Sequence, residues 1–482
     1  MINKSIFFLS FVLIIFYILN GLPYKETSSD YSLFLSVFRI LYFIIFIIFS
    51  YKLKDLAQIQ YGNNYNELKK ICNYLILFSV LIIFGFLTKV FIILHFIFYL
   101  YLFRKKRAVF YGIEQSYHQI CGIFFIFSNT NLHFSIDKLL GINNFIIFND
   151  SNSLNFLILS ISVCLISGFC EKLKSKAWRS GEALNIFLNT PHVKKKEHGN
   201  LFKKFISIKF VCFLALANQL ILFTLFFQDL RIFFFIGELL FSLSIIILGP
   251  FHFIGETFVL IFSFLIINEL SYSNNLNFFS NFDFLINFNQ ISYDKLILSL
   301  LLINSFTACF YRLPTFLDNL NRYSLGLSPF SVYTENHLYG IRVFKISGLK
   351  NKKIVHKNLY EFYNEDGNVG NKRLWMPTII YGLTYRITDI CERKLKKINV
   401  SNDKQIVINA FQNVLSLSNS KIGEIDTLKL YVKTINPNLK IKTENWIDKK
   451  WYEIAEYNLN IKKLKWTRNP SKSLSFSRKL FR

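Results

Sequence analysis

Several familiar chemistries are missing from this chain of 482 residues. It has no C-x-x-C pair, and its seven cysteines (Cys72, Cys121, Cys164, Cys170, Cys212, Cys309 and Cys391) fall mostly inside apolar runs. That spacing excludes a zinc ribbon or a disulfide framework and leaves the thiols as small buried hydrophobes. There is no G-x-x-x-x-G-K-[ST] loop, no G-x-S-x-G elbow and no H-E-x-x-H helix, which removes the best-marked routes to nucleotide hydrolysis, serine hydrolysis and zinc proteolysis. Acidic residues are scarce, 30 Asp and Glu against 56 Lys and Arg, for a net charge of +26. Methionine is down to 2 beside an excess of Phe, Ile, Asn and Lys, a bias that AT-rich codons produce unaided, so the 56 Phe are no sign of an aromatic ligand site. What the chain does have is apolar bulk. Hydrophobic residues make up 52% and mean hydropathy is +0.34, which excludes a wholly soluble protein.

A membrane helix needs about 20 mostly apolar residues. Windows near 5–22, 31–51, 71–88, 90–103, 108–128, 153–170, 205–228, 231–248, 251–270 and 295–311 meet or approach that length. The expected fold is therefore an all-α polytopic bundle of about ten transmembrane helices with a basic, soluble α+β domain at its C-terminal end. The third and fourth windows form one apolar stretch interrupted at Gly85 and Thr88-Lys89, and the short fourth piece has the length of a re-entrant segment. The first window follows Lys4 but no small-residue cleavage site follows it, so it reads as a helix rather than a signal peptide.

Lys and Arg in short loops mark the cytoplasmic side. Threading ten spans puts Lys4, Lys52, Lys54, Lys69, Lys70, Arg104 to Arg107, the stretch from Lys172 to Lys204 and the whole tail on one face. Both termini are then cytoplasmic. The domains run 1–30 (first helix and loop), 31–311 (bundle), 312–335 (juxtamembrane connector) and 336–482 (tail). The tail holds 29 basic and 13 acidic residues over 326–482, more of the excess than the bundle. Within it Tyr339 to Ile346 alternates as a strand does, and Lys404 to Leu417 has helical spacing. The cation-rich closing run Lys462 to Arg482 suits anionic lipid head groups, and its tether to the membrane disfavours nucleic acid as the partner.

Ionisable side chains inside spans are costly unless paired or facing a cavity. They are Arg39, His95, Glu114, His118, Glu238, His252 and Glu256. Glu114 with His118, and His252 with Glu256, are four apart and share a helix face. Glu238 sits mid-span, where a carboxylate is costly unless protonated or matched, with Arg39 the candidate cation, and Asn218-Gln219 adds polar atoms at mid-depth. Two readings stand: an acid, base and cation cluster for proton transfer or polar head groups, or hydrogen bonds that only fix the bundle. No spacing selects a metal.

The loop Glu171-Lys172-Leu173-Lys174-Ser175-Lys176-Ala177-Trp178-Arg179-Ser180-Gly181-Glu182-Ala183-Leu184 is the most distinctive text. Taken alone it is a helix end crowded with exposed lysines, an interfacial Trp anchor, and a Gly turn into a second amphipathic piece.

The pattern Lys172-Leu173-x4-Trp178-x2-Gly181 before Ala183-Leu184 resembles the signature loop of the HTTM family, the horizontally transferred transmembrane domain related to vitamin K-dependent gamma-carboxylase. Phe38-Arg39-Ile40, Gly85-Phe86-Leu87-Thr88-Lys89 and Phe134-Ser135-Ile136-Asp137-Lys138 are similar to that family in order, as are Gly237-Glu238 and His252, over roughly 31–311. The resemblance implies an integral protein of a bacterial inner (plasma) membrane, whose relatives include a carboxylase and membrane components of a toxic-peptide maturation system. It implies an accessory or maturation factor, or a lipid-phase enzyme, with a peptide or protein as substrate. The carboxylase-like alternative brings a reduced quinone as cofactor, deprotonated by a lysine at the position of Lys172. Lys172, Glu238, Glu256 and His252 are the candidate catalytic residues. A transporter or a structural subunit are the remaining alternatives, and a transporter predicts inverted internal repeats that the sequence does not display.

Overall fold

The computed structural model describes residues 29–61, 65–105, 112–142, 150–188, 207–220, 231–248, 252–272, 342–356, 408, 425–434 and 451–466. The N-terminal part is helical: α1 (Ser29–Tyr61), α2 (Tyr65–Phe84), α3 (Thr88–Lys105), α4 (Gly112–Phe127), the short α5 (Ile136–Leu139), α6 (Asp150–Lys174), α7 (Lys176–Arg179), α8 (Ala183–Leu188), α9 (Ile208–Leu220), α10 (Arg231–Leu248) and α11 (His252–Tyr272). The described parts of the windows expected at 31–51, 71–88, 90–103, 108–128, 153–170, 205–228, 231–248 and 251–270 are helical to within a residue of their ends, except that the 71–88 window is broken at Gly85. Those at 5–22 and 295–311 lie outside the described residues, as does the closing basic run beyond 466. By length and composition, Asp30–Tyr51 is the one described run long and apolar enough to cross a membrane.

The long helices contact one another in a closed sequence. α1 packs on α2 and α11, α3 on α2 and α4, α6 on α4 and α9, and α10 on α9 and α11. Periodicity explains the packing of α1. Leu35, Phe38, Tyr42, Phe46, Phe49 and Leu53 recur at helical spacing and are buried, with Phe38 stacked on Phe264 of α11 at 4.5 Å between ring centroids. Its opposite stripe, Val37, Leu41, Ile44, Ile48 and Tyr51, is equally apolar and yet exposed.

The break between α2 and α3 is built by Gly85. At φ +68° it ends α2, with Phe86 N–H donating to Leu81 O and Gly85 N–H to Ile82 O, both at 3.0 Å. A Cβ there would lie 2.3 Å from Ser135 Cβ, so glycine is needed for both turn and contact.

The described part of the tail is an antiparallel sheet, β1 (Arg342–Lys350), β2 (Lys353–His356), β3 (Thr427–Thr434), β4 (Tyr452–Asn458) and β5 (Lys463–Trp466), in the order β2-β1-β3-β4-β5. Ile346, Leu428, Leu430, Ala455, Tyr457 and Leu464 are buried. Across the ladder, Lys345 sits over Tyr431 and Trp451 at 5.5 and 4.8 Å, and Lys429 pairs with Glu453 at 2.9 Å. Of the strand expected at Tyr339 to Ile346, the part from Arg342 is described, and it runs on to Lys350. Of the helix expected at Lys404 to Leu417, Ile408 alone is described, and it is helical.

Candidate functional site

α6 ends at Lys174, and the chain turns through α7 into the Gly181 bend. Gly181, at φ +75°, donates to Trp178 O at 3.0 Å while Glu182 N–H reaches Ala177 O at 2.9 Å, the same capping pattern as at Gly85. The bend lies against the first two turns of α9, where a Cβ on Gly181 would meet Lys209 and Phe213 at 3.2 Å. Glu182 pairs with Lys209 at 3.1 Å, a partly exposed bridge that positions the loop more than it stabilises it. This folding back corrects two expectations. Trp178 is 2% exposed, a core residue rather than an interfacial anchor, and Lys172 is 8% exposed rather than one of three exposed cations. Their proximity gives the reason: Lys172 Nζ lies 5.0 Å from the centroid of the Trp178 ring in the loop and 5.6 Å from that of Phe241 on α10.

Glu238 of α10 is the other half of the site. It is buried, and Asn218 Nδ2 of α9 donates to its Oε1 at 2.9 Å. Gly237 makes that approach possible, because a Cβ there would lie 1.8 Å from Asn218 Oδ1. Lys172 and Glu238 act on each other electrostatically, with Cys212 and Tyr117 also within range. Burial pushes the Lys172 ammonium down to about 8, against the upward pull of the Glu238 carboxylate. The expected match of Glu238 with Arg39 is therefore wrong.

Arg39 belongs to a second cluster. It donates from Nη1 to Thr130 O and from Nη2 to Phe134 O, each at 2.7 Å. Asp137 accepts from Leu87 N–H (2.6 Å), Thr88 N–H (2.8 Å) and Thr88 Oγ1 (2.6 Å), capping α3. Lys89 Nζ donates to Phe125 O at 3.2 Å, Ile126 O at 2.7 Å and Ser128 O, closing the C-terminus of α4. The three motifs around Arg39, Gly85 and Asp137 thus converge on one knot of capped helix ends. The two Arg39 Nη groups, the Asp137 carboxylate and the Lys89 ammonium are spent mainly on backbone groups at these helix ends, so the knot is scaffold.

A third cluster is aromatic. Tyr42 Oη and His118 Nδ1 are 2.6 Å apart, and Phe46 lies edge-on to His118 and His95 with centroids at 5.1 and 4.4 Å. His118 meets Tyr42 of α1, while the Glu114 side chain, and with it the pairing expected of Glu114 with His118, lies outside the described residues. So does that of His252, whose backbone opens α11; Glu256 is half-buried one turn on. Of the four candidate catalytic residues, Lys172 and Glu238 come together. Sequence reasoning did not single out Phe241, Tyr117 or Cys212, which carry no signal beyond apolar context. Among the described residues no group of three or more His, Cys, Asp and Glu gathers as a metal site. No family model, curated protein or solved structure matches the chain.

Proposed function

We propose that the chain is a polytopic membrane protein of the HTTM type, with both termini cytoplasmic, whose bundle houses an acid–base site for a lipid-phase reaction. The observation that carries the chemistry is the buried meeting of Lys172 with Glu238 beside Trp178. The membrane reading is supported by inverted polarity. Exposed apolar stripes run along α1, α3 (Val90, Ile93, Ile97, Tyr101) and α10 (Phe233, Ile236, Leu240, Leu243), while Arg39, Lys89, His95, His118, Glu238 and Asn268 lie inside.

In this reading the neutral Lys172 amine takes a proton from a weak O–H or C–H acid of a substrate entering from the lipid. Glu238, held by Asn218, offsets the ammonium that forms, and the Trp178 and Phe241 rings stabilise it while excluding water. The site suits an enzyme or maturation factor acting on a membrane-bound peptide or protein. A second reading, a quinone-linked carboxylase-like enzyme, is favoured by the same two rings, since Lys172 would accept the hydroxyl proton of a reduced quinone and the aromatic wall suits its ring. The quinone when bound would supply the acidic hydroxyl.

The test uses full-length protein in bilayer discs and a hydrophobic isothiocyanate, with adducts located by mass spectrometry. At pH 8.5 Lys172 should react ahead of the exposed Lys350, because its amine is largely neutral there, and reduced quinone should protect it if the second reading holds. Lys172 reacting more slowly than Lys350 throughout pH 8 to 10 refutes the acid–base site. A reporter fused near residue 190 that faces away from the cytoplasm refutes the topology.

A further inference from the structure

At one end of its sheet the tail carries two hairpin turns that the acid–base site does not use. β1 passes into β2 through Asn351 and Lys352, and β4 into β5 through residues 459–462. β3 lies between, its first residue Thr427 opposite Leu349 on one side and Asn458 on the other, so antiparallel register brings the two turns to the same end. Asp426 fastens both. Its N–H donates to Leu349 O at 2.8 Å, its carboxylate accepts from Asn351 N–H at 2.9 Å, and its carbonyl accepts from Leu459 N–H at 2.9 Å. Asn458 Oδ1 shapes the second turn by accepting from the N–H groups of Asn460 and Ile461 at 3.0 and 3.2 Å.

The composition of this end is one-sided. Lys350, Lys352, Lys353, Lys462 and Lys463 are all exposed, with Lys465 next along β5, and so are Ile354 (55%), Val355 (42%) and Ile461 (66%). Over 349–355, 425–428 and 457–464 the one described carboxylate is Asp426, already engaged by Asn351 N–H. Two of the lysines stand where folding favours glycine. Lys352 has φ +64° and Lys462 φ +48°, and the first turn reads Asn-Lys where a two-residue type I′ hairpin prefers Asn-Gly. The strain is kept at both tips, and at both it presents a cation.

We propose that the two tips dock the tail onto an anionic bilayer surface, the lysines meeting head-group phosphates and Ile354, Val355 and Ile461 entering between the head groups. Lysine charge beside exposed aliphatic side chains is the combination that interfacial binding requires. Nucleic acid would use the lysines but has no use for three exposed aliphatics. The proposal rests on the membrane reading of the chain and is separate from the acid–base site.

Full-length protein bearing a benzophenone amino acid in place of Ile461 is reconstituted in discs of phosphatidylcholine, with or without phosphatidylglycerol, and photolysed. Lipid adducts should form, rise with the phosphatidylglycerol fraction, and fall about fivefold for each of Lys350→Gln, Lys352→Gln and Lys463→Gln. The same probe in place of Glu453, further along β4, should give none. Lys352→Gly should raise the thermal midpoint of the tail while lowering lipid adducts; unchanged adducts overturn the proposal. So do adducts insensitive to phosphatidylglycerol, adducts to this chain or a second copy, and capture of added single-stranded RNA in preference to lipid. Carbonate extraction of the same samples reads insertion separately: a chain that stays inserted but gives no lipid adducts overturns the docking and leaves the membrane reading standing.

Discussion

Replacing Gly237 by alanine sets a methyl group where the Asn218 carboxamide now lies, 1.8 Å from its Oδ1 and 2.8 Å from its Cγ. The carboxamide must leave, and its 2.9 Å hydrogen bond to Glu238 goes with it. A hydrogen bond to a charged group is worth about 1.5–3 kcal/mol, whereas glycine to alanine in a helix returns about 1 kcal/mol. Gly237→Ala should therefore cost about 0.5–2 kcal/mol, and Asn218→Ala about 1.5–3 kcal/mol, because each removes the same bond. In the double variant the bond is lost only once, so its cost should fall short of the sum by about 1.5–3 kcal/mol. Equilibrium unfolding in mixed micelles on SDS titration reads all four proteins. Penalties that add to within about 0.5 kcal/mol would refute the reasoning that Gly237 exists to admit Asn218.

Other consequences follow from the same contacts. Lys172 holds its proton less tightly in the folded protein, near 8, than an unfolded lysine near 10.5, so unfolding takes up a proton between those values and stability should rise with pH across that window. Lys172→Met should remove that rise in SDS unfolding compared at pH 7.5 and 10. Asp137→Asn exchanges a carboxylate that accepts from Leu87, Thr88 N–H and Thr88 Oγ1 for one carbonyl acceptor and should lower stability by about 2–3 kcal/mol in the same assay. Tyr42→Phe deletes the hydrogen bond to His118, should cost about 1 kcal/mol, and should leave Lys172 reactivity toward isothiocyanate unchanged, since the two clusters share no described bond.

The helices were legible because long apolar runs separated by cations leave little choice of where a helix lies, and the Gly85 break because glycine and Thr88-Lys89 interrupt such a run. The partners were less legible. Arg39 looks like the cation for Glu238 because both lie in expected spans, but its two Nη groups donate to carbonyls at Thr130 and Phe134, some 90 residues along the chain, which no local pattern announces. Lys172 was hidden by Lys174 and Lys176, since three lysines at a helix end read as one solvated cluster until the Gly181 bend folds Trp178 over the first. In the tail, the Asn351-Lys352 hairpin escaped notice because its turn lacks the glycine that marks such turns.

The acid–base pair is tested most directly by the ¹³Cε resonance of Lys172 in full-length protein labelled at lysine and held in bilayer discs, assigned by its loss in Lys172→Met. The account predicts a midpoint near pH 8 in the native chain, moving lower in Glu238→Gln as the carboxylate that favours the ammonium is removed. A midpoint near the ordinary lysine value of 10.5, unchanged by Glu238→Gln, would contradict it.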